Sequence, residues 1–137
     1  MSTEQKLKFG DIMIGVVGGL GPAATVDFLD KIIKLTNAKN DREHFKIAAI
    51  FAPDIPDRSG FIVGCGVDPL PHLIAAVKQV LLHPVKLIAI PCNSAHYWYA
   101  QLSEISPVPI IHIARAATSD ISSDARSDVM VLATRGT

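Results

Sequence analysis

Ile12-Met-Ile-Gly-Val-Val-Gly-Gly-Leu-Gly-Pro22 is the stretch on which the fold turns. Its apolar half, Ile12 to Val17, is an unbroken run of strand-forming residues, the pattern of a strand buried on both faces. The glycines after it mark a tight turn, and Pro22 suits the first turn of a helix. Val26, Leu29, Ile33 and Leu35 then share a stripe, with Asp30, Lys31 and Lys34 opposite, which predicts an amphipathic helix. Outward from this unit the alternation repeats. Lys46 to Phe51 reads as a second strand, halted by Pro53 and Pro56. Asp54 to Pro71 is a long Pro- and Gly-rich connection, a length associated with function. Leu73 to Leu81 reads as a helix and Lys86 to Ile90 as a third strand, with Pro91-Cys92-Asn93-Ser94 as its exit turn. A helix carrying Tyr97, Trp98 and Leu102 runs to about Glu104. Val108 to Ile111 reads as a short strand, Ile113 to Ile121 as a helix and Asp128 to Ala133 as a last strand. The alternation predicts an α/β fold, a parallel sheet flanked by helices.

The 137 residues contain 13 Lys+Arg against 13 Asp+Glu, 49% hydrophobic residues and 19% charged ones. Such a chain folds around a core. Its zero net charge excludes the basic field that nucleic-acid or anionic-membrane binding needs, so neither partner is expected. No apolar run is long enough to span a bilayer, and Met1 to Gly10 lacks a signal peptide's apolar stretch, which points to the cytoplasm. Two cysteines there are thiols rather than a disulfide framework. His44, His72, His83 and His112 have no metal-ligand spacing, so no metal is expected.

Right-handed crossovers put every strand-to-helix turn on one edge of a parallel sheet, where ligands bind. Gly18 to Pro22, Ala52 to Arg58 and Pro91 to His96 therefore converge. Cys92, at or just before a helix N-terminus, is the candidate nucleophile or base, since amides and helix dipole there favour a thiolate. Asn93 and Ser94 add donors for a carboxylate or oxyanion. Arg58, in Asp54-Ile-Pro-Asp-Arg58, has the geometry to hold a carboxylate in a bidentate fork. His96, four residues after Cys92, either tunes the thiolate or packs as a satisfied histidine. Gly19-x-Gly21-x-x-Ala24 loosely matches a dinucleotide loop, but the acid such a unit needs ~20 residues on is missing. Pro22 also removes an amide where a phosphate would sit. The glycines are expected to let the backbone approach a small ligand closely. Cys65, between Gly64 and Gly66, has nothing nearby to activate it.

Ile14-Gly-Val-Val-Gly-Gly-Leu-Gly-Pro22, Ile55-Pro-Asp-Arg58, Asp68-Pro-Leu-Pro71, Ile88-Ala-Ile-Pro-Cys-Asn-Ser-Ala-His-Tyr97, Val108-Pro-Ile-Ile-His112 and Leu132-Ala-Thr-Arg-Gly-Thr137 together resemble the cofactor-independent aspartate/glutamate racemase superfamily, aspartate racemase most of all. The Pro-Cys-Asn-Ser-Ala-His string is the specific part. The resemblance implies an isomerase without pyridoxal phosphate or other cofactor, acting on a small dicarboxylic amino acid. Two cysteines on opposite faces of the α-carbon exchange its proton. Cys92 corresponds to the first; Asn93, Ser94 and Ala95 to the segment binding the α-carboxylate and amino group; Arg58 to an arginine on a substrate carboxylate. Thr134 to Thr137 matches a substrate-lining turn. The family is two α/β domains long. Residues 1–115 are thus expected to form the N-terminal domain and 116–137 to begin a second, truncated one. The second cysteine, expected well downstream, is absent, so proton exchange from one face is expected more than efficient racemisation. Apolar surface meant for the missing half favours a homodimer. The alternative reading is a non-catalytic small-carboxylate binding or assembly domain derived from a racemase.

Overall fold

The computed structural model describes residues 9–119 and 130–136. Three strands, β1 (Met13–Gly18), β2 (Lys46–Phe51) and β3 (Leu87–Ala89), form one parallel sheet in the order β2-β1-β3. Helices α1 (Pro22–Leu35), α2 (Arg58–Ile62), α3 (Leu70–Val80), α4 (Tyr99–Ile105) and α5 (Ile113–Thr118) connect and flank it. Among the described residues no helix is long and apolar enough to cross a membrane.

β1 is central, and from Ile14 to Gly18 every residue is buried, as its continuous apolar run predicts. Gly15 is required by packing, since a Cβ there would lie 2.3 Å from Val80 Cγ1 on α3. Val17, Leu73, Val77, Val80, Ile88 and Leu102 are fully buried in the main core between the sheet and α3 and α4. The order 2-1-3 reverses direction between β1 and β3, a topological switch point. The loops leaving two adjacent strands there run to opposite faces and open a crevice between them.

The segment 108–111 is reduced to a single parallel bridge, Ile88 to Ile110. Ile88 N–H donates to Pro109 O at 2.9 Å and Ile111 N–H to Ile88 O at 2.8 Å. Pro107 and Pro109 carry no N–H, so the ladder does not extend. The connection from Asp54 holds a helix the sequence did not announce. Asp57 accepts from the N–H groups of Ser59 at 3.1 Å and Gly60 at 3.0 Å, and this cap starts α2 inside the Pro-rich stretch. Asp68 similarly accepts from Leu70 N–H at 2.9 Å, so α3 begins at Leu70 rather than Leu73.

The stripe expected on α1 is rotated. Val26, Ile33 and Leu35 are exposed, while Thr25 is buried and Phe28, Leu29 and Ile32 are half-buried. Thr25 sets this register: its hydroxyl accepts from Gly19 N–H at 2.9 Å and donates to Gly21 O at 3.1 Å. The expected boundary at residue 115 falls within α5, which ends at Thr118; residues 120 and 121 of the expected helix lie outside the described residues. Of the expected last strand, 128 and 129 lie outside as well. Residues 130–133 carry no regular strand and expose Met130, Val131 and Leu132.

Candidate active site

A cleft of about 550 Å³ opens at the carboxyl edge of the sheet, in the crevice between the β1 and β3 exits. One wall is the start of α1 with Leu20, another the first turn of α2 with Arg58 and Ser59, and the floor is Pro91 to Ser94. Of the site residues read from sequence, the cleft brings together Cys92, Arg58, Asn93 and Ser94. Ala95 is fully buried in the core and does not line the cleft, so its backbone N–H is all it has to offer a ligand.

Cys92 is 9% exposed, and its Sγ lies 3.6 Å from Ser94 Oγ. The turn around it is tight, with Cys92 N–H donating to Ile90 O at 2.7 Å. Beyond Asn93 the chain enters a 3₁₀ segment, Ser94–Trp98, before it passes into the α-helical α4. The leading amides of that segment have no partner within the helix and belong to the turn that carries the sulfur.

His96 does not touch the sulfur. Its Nδ1 lies 2.8 Å from Cys92 O, and its Nε2 lies 3.2 Å from both Ile113 N and Ile111 O. Ile113 N–H is a donor, so Nε2 accepts from it and Nδ1–H donates to Cys92 O. Of the two sequence readings, the satisfied histidine is the one the geometry carries.

Arg58 is partly engaged by backbone carbonyls. Nη1 donates to Ile55 O at 3.0 Å and Pro56 O at 3.1 Å, and Nη2 to Leu20 O at 3.2 Å. Nε is buried without a hydrogen-bond partner. Of its five N–H groups, these three hold the loop entering α2 against the glycine turn, and one Nη2 hydrogen is left over beside the unpartnered Nε–H. The glycines are likewise used internally. Gly19 has φ +86°, and a Cβ there would lie 2.6 Å from Ala52 N; Gly21 faces open space. The close approach that Gly19 permits is to the exit of β2, not to a ligand.

Asp27, Lys31, Ser59 and Ile113 also line the cleft and were not singled out in the sequence. Asp27 and Lys31 pair as i, i+4 neighbours on α1, a spacing legible in principle but indistinguishable from any solvated ion pair. With Arg58, they leave one surplus positive charge around the opening, which suits a small anion. Thr134 lines the cleft too, its Oγ1 3.4 Å from Ser59 Oγ, and a Cβ on Gly136 would lie 2.6 Å from Ser59 Cα. Residues 134–136 therefore lie close against the first turn of α2. Cys65 is exposed on its loop and is not part of the cleft. Among the described residues, no group of three or more His, Cys, Asp or Glu is gathered to hold a metal ion.

His112 sits beside this site and caps α5, its Nδ1 accepting from Arg115 N–H at 3.4 Å. Desolvation, His96 and the Arg115 cation, in that order, lower its pKa below the usual histidine value.

A family model described as Asp/Glu/Hydantoin racemase matches residues 17–137. The chain is 32% identical over 131 residues to the broad specificity amino-acid racemase RacX of Bacillus subtilis (strain 168), with 87% of this chain and 53% of RacX covered. It superposes on Picrophilus torridus aspartate racemase with a TM-score of 0.73 at 26% identity, covering 79% of this chain and 46% of that one. An aspartate racemase homologue from Pyrococcus horikoshii OT3 shares the fold, with a TM-score of 0.63 at 23% identity over 80% of this chain and 48% of that one. The chain spans about half the length of these relatives.

Proposed function

The chain belongs to the Asp/Glu/hydantoin racemase family, and on that premise we propose that it carries the thiol half-site of an amino-acid racemase acting on a small dicarboxylic amino acid, without a cofactor. The observation that carries the reading is the cleft at the switch point, where Cys92 meets Arg58, Asn93 and Ser94. Cys92 acts as the base. Its thiolate removes the α-hydrogen as a proton, an S–H bond forms, and the electron pair of the broken C–H bond passes into the carboxylate as an enediolate. The α-proton of an amino acid is very weakly acidic, so the charge that develops must be met by fixed donors. The last Nη2 hydrogen of Arg58, Ser94 Oγ and the leading amides of the 3₁₀ turn are the groups available for this.

Return of the proton from Cys92 regenerates the starting enantiomer; inversion needs a donor on the opposite face. Such a donor belongs to the other half of a racemase, or to a partner. The reading places the protein in the reducing cytoplasm, where Cys92 remains a thiol. Incubation with L- or D-aspartate in deuterium oxide tests it, with α-deuteration followed by NMR and optical rotation in parallel. Deuteration without fast loss of rotation is expected. Cys92→Ala should reduce exchange by at least ~10³-fold while aspartate still binds. Exchange that survives in Cys92→Ala overturns the assignment of the base. Binding without exchange in the parent chain favours the non-catalytic carboxylate-binding reading.

A further inference from the structure

We propose that His96 is a positioning residue for the Cys92 thiol, acting through the carbonyl of Cys92 rather than through its sulfur. The inference rests on Cys92 being the reacting thiol. Its physical basis is a displaced hydrogen bond. In an α-helix the N–H of residue 96 would bond the carbonyl of residue 92, four positions back. Here the segment is 3₁₀, and His96 N–H instead donates to Asn93 O at 3.0 Å. Cys92 O is thereby left to the imidazole, whose Nδ1–H reaches it at 2.8 Å. The opposite edge of the same ring accepts from Ile113 N–H at 3.2 Å. One rigid ring thus ties the turn bearing the sulfur to the start of α5, and Ile113 and Cys92 both line the cleft. The spacing of two walls is set by a planar side chain with one χ1 and one χ2 to fix. A proton-abstracting sulfur must sit within a narrow range of the α-carbon, and a displacement of about 1 Å can cost ~10²-fold in rate.

The two arms of the ring can be cut separately. In His96→Asn, the amide nitrogen takes the place of Nδ1 and donates to Cys92 O, while the Ile113 arm is lost. In His96→Gln, the longer amide reaches Ile113 N–H, and Cys92 O is left without its donor. Both are compared with His96→Ala in a Cys65→Ser background, which removes the exposed second thiol. Two readouts are taken: the rate of Cys92 alkylation by iodoacetamide, followed by mass spectrometry, and α-deuteration of aspartate. A released turn exposes the sulfur and misplaces it. Alkylation in His96→Ala should therefore rise at least ~5-fold while kcat for exchange falls at least ~10-fold, with KM changed less than ~3-fold. A change in thiol ionisation alone would move both rates in the same direction. His96→Asn should restore both rates to within about 3-fold of the parent, and His96→Gln should resemble His96→Ala. Alkylation unchanged in His96→Ala overturns the proposal, as does equal behaviour of the Asn and Gln variants in step with their melting temperatures. If His96→Ala does not fold, the Asn–Gln comparison decides. Alkylation that moves as expected in a chain whose parent exchanges no aspartate upholds the positioning role and overturns the racemase reading.

Discussion

Arg58 illustrates how a single side chain can look like a ligand-binding group and serve as a brace. Three of its five donors end on the carbonyls of Ile55, Pro56 and Leu20. Lysine has one ammonium and lacks the planar fork, so it cannot reach these three acceptors together. Arg58→Lys is expected to lower stability by about 1–3 kcal/mol, because part-buried carbonyls lose their partner. Urea denaturation measures this, and aspartate affinity in the same variant should fall as the cleft wall loosens. A variant as stable as the parent would show that the brace is dispensable. Leu20 is 38 positions from Arg58, so nothing in Asp54-Ile-Pro-Asp-Arg58 announces that the guanidinium is already engaged. Thr25 is a comparable case. A small polar residue in a first helical turn is unremarkable in sequence, yet here it closes the glycine turn from Gly19 to Gly21.

Among the elements, α5 is the one with a built-in sensitivity to acid. His112 caps it as an acceptor, and protonation would remove the lone pair that Arg115 N–H uses. Tyr99 packs edge-on against the His112 ring, the His96 ring lies 5.2 Å from it, and the Arg115 guanidinium lies over Tyr99. The His112 pKa is lowered in the folded state, so in the window below the usual histidine value the unfolded chain binds more protons. Stability from this group is therefore complete above about pH 6.5 and is lost as the pH falls through the window. Urea midpoints taken from pH 7.5 to 5 should decline in the parent and decline less in His112→Asn, since asparagine caps without titrating. Identical slopes would remove His112 from the account. Element existence was largely legible, because hydrophobic period is a local property: β1, β2 and α3 follow their apolar spacing, and α1 forms where expected though with its inward face rotated. Two elements were not. α2 depends on an Asp57 cap within a stretch rich in proline, and the segment 108–111 lost its ladder to Pro107 and Pro109.

At the scale of the whole molecule, the sheet is unevenly covered among the described residues. The main core lies on the α3–α4 side, but Ile14, Phe28, Ile32, Leu87 and Ile111 line an apolar cavity of about 260 Å³ on the α1–α5 side. Ile33 and Leu35 on α1, together with Met130, Val131 and Leu132, add exposed apolar surface. Exposed apolar area of this kind favours docking over contact with solvent. A homodimer is the expected state, and light scattering at tens of micromolar should give about twice the 14.7 kDa chain mass. A monomer at that concentration would set the expectation aside.

What the sequence determined by itself was the order of elements and the edge at which chemistry collects, since strand alternation, turn residues and crossover handedness all act between near neighbours in the chain. It placed Cys92, Asn93 and Ser94 on the turn that lines the cleft for the same reason. The tertiary structure alone decided which side of α1 faces inward, that Arg58 braces a loop, that His96 holds a carbonyl instead of the sulfur, and that Thr134 meets Ser59, 75 positions away. Each of these depends on which distant donor or acceptor is left unsatisfied when the layers close, and no local pattern encodes that.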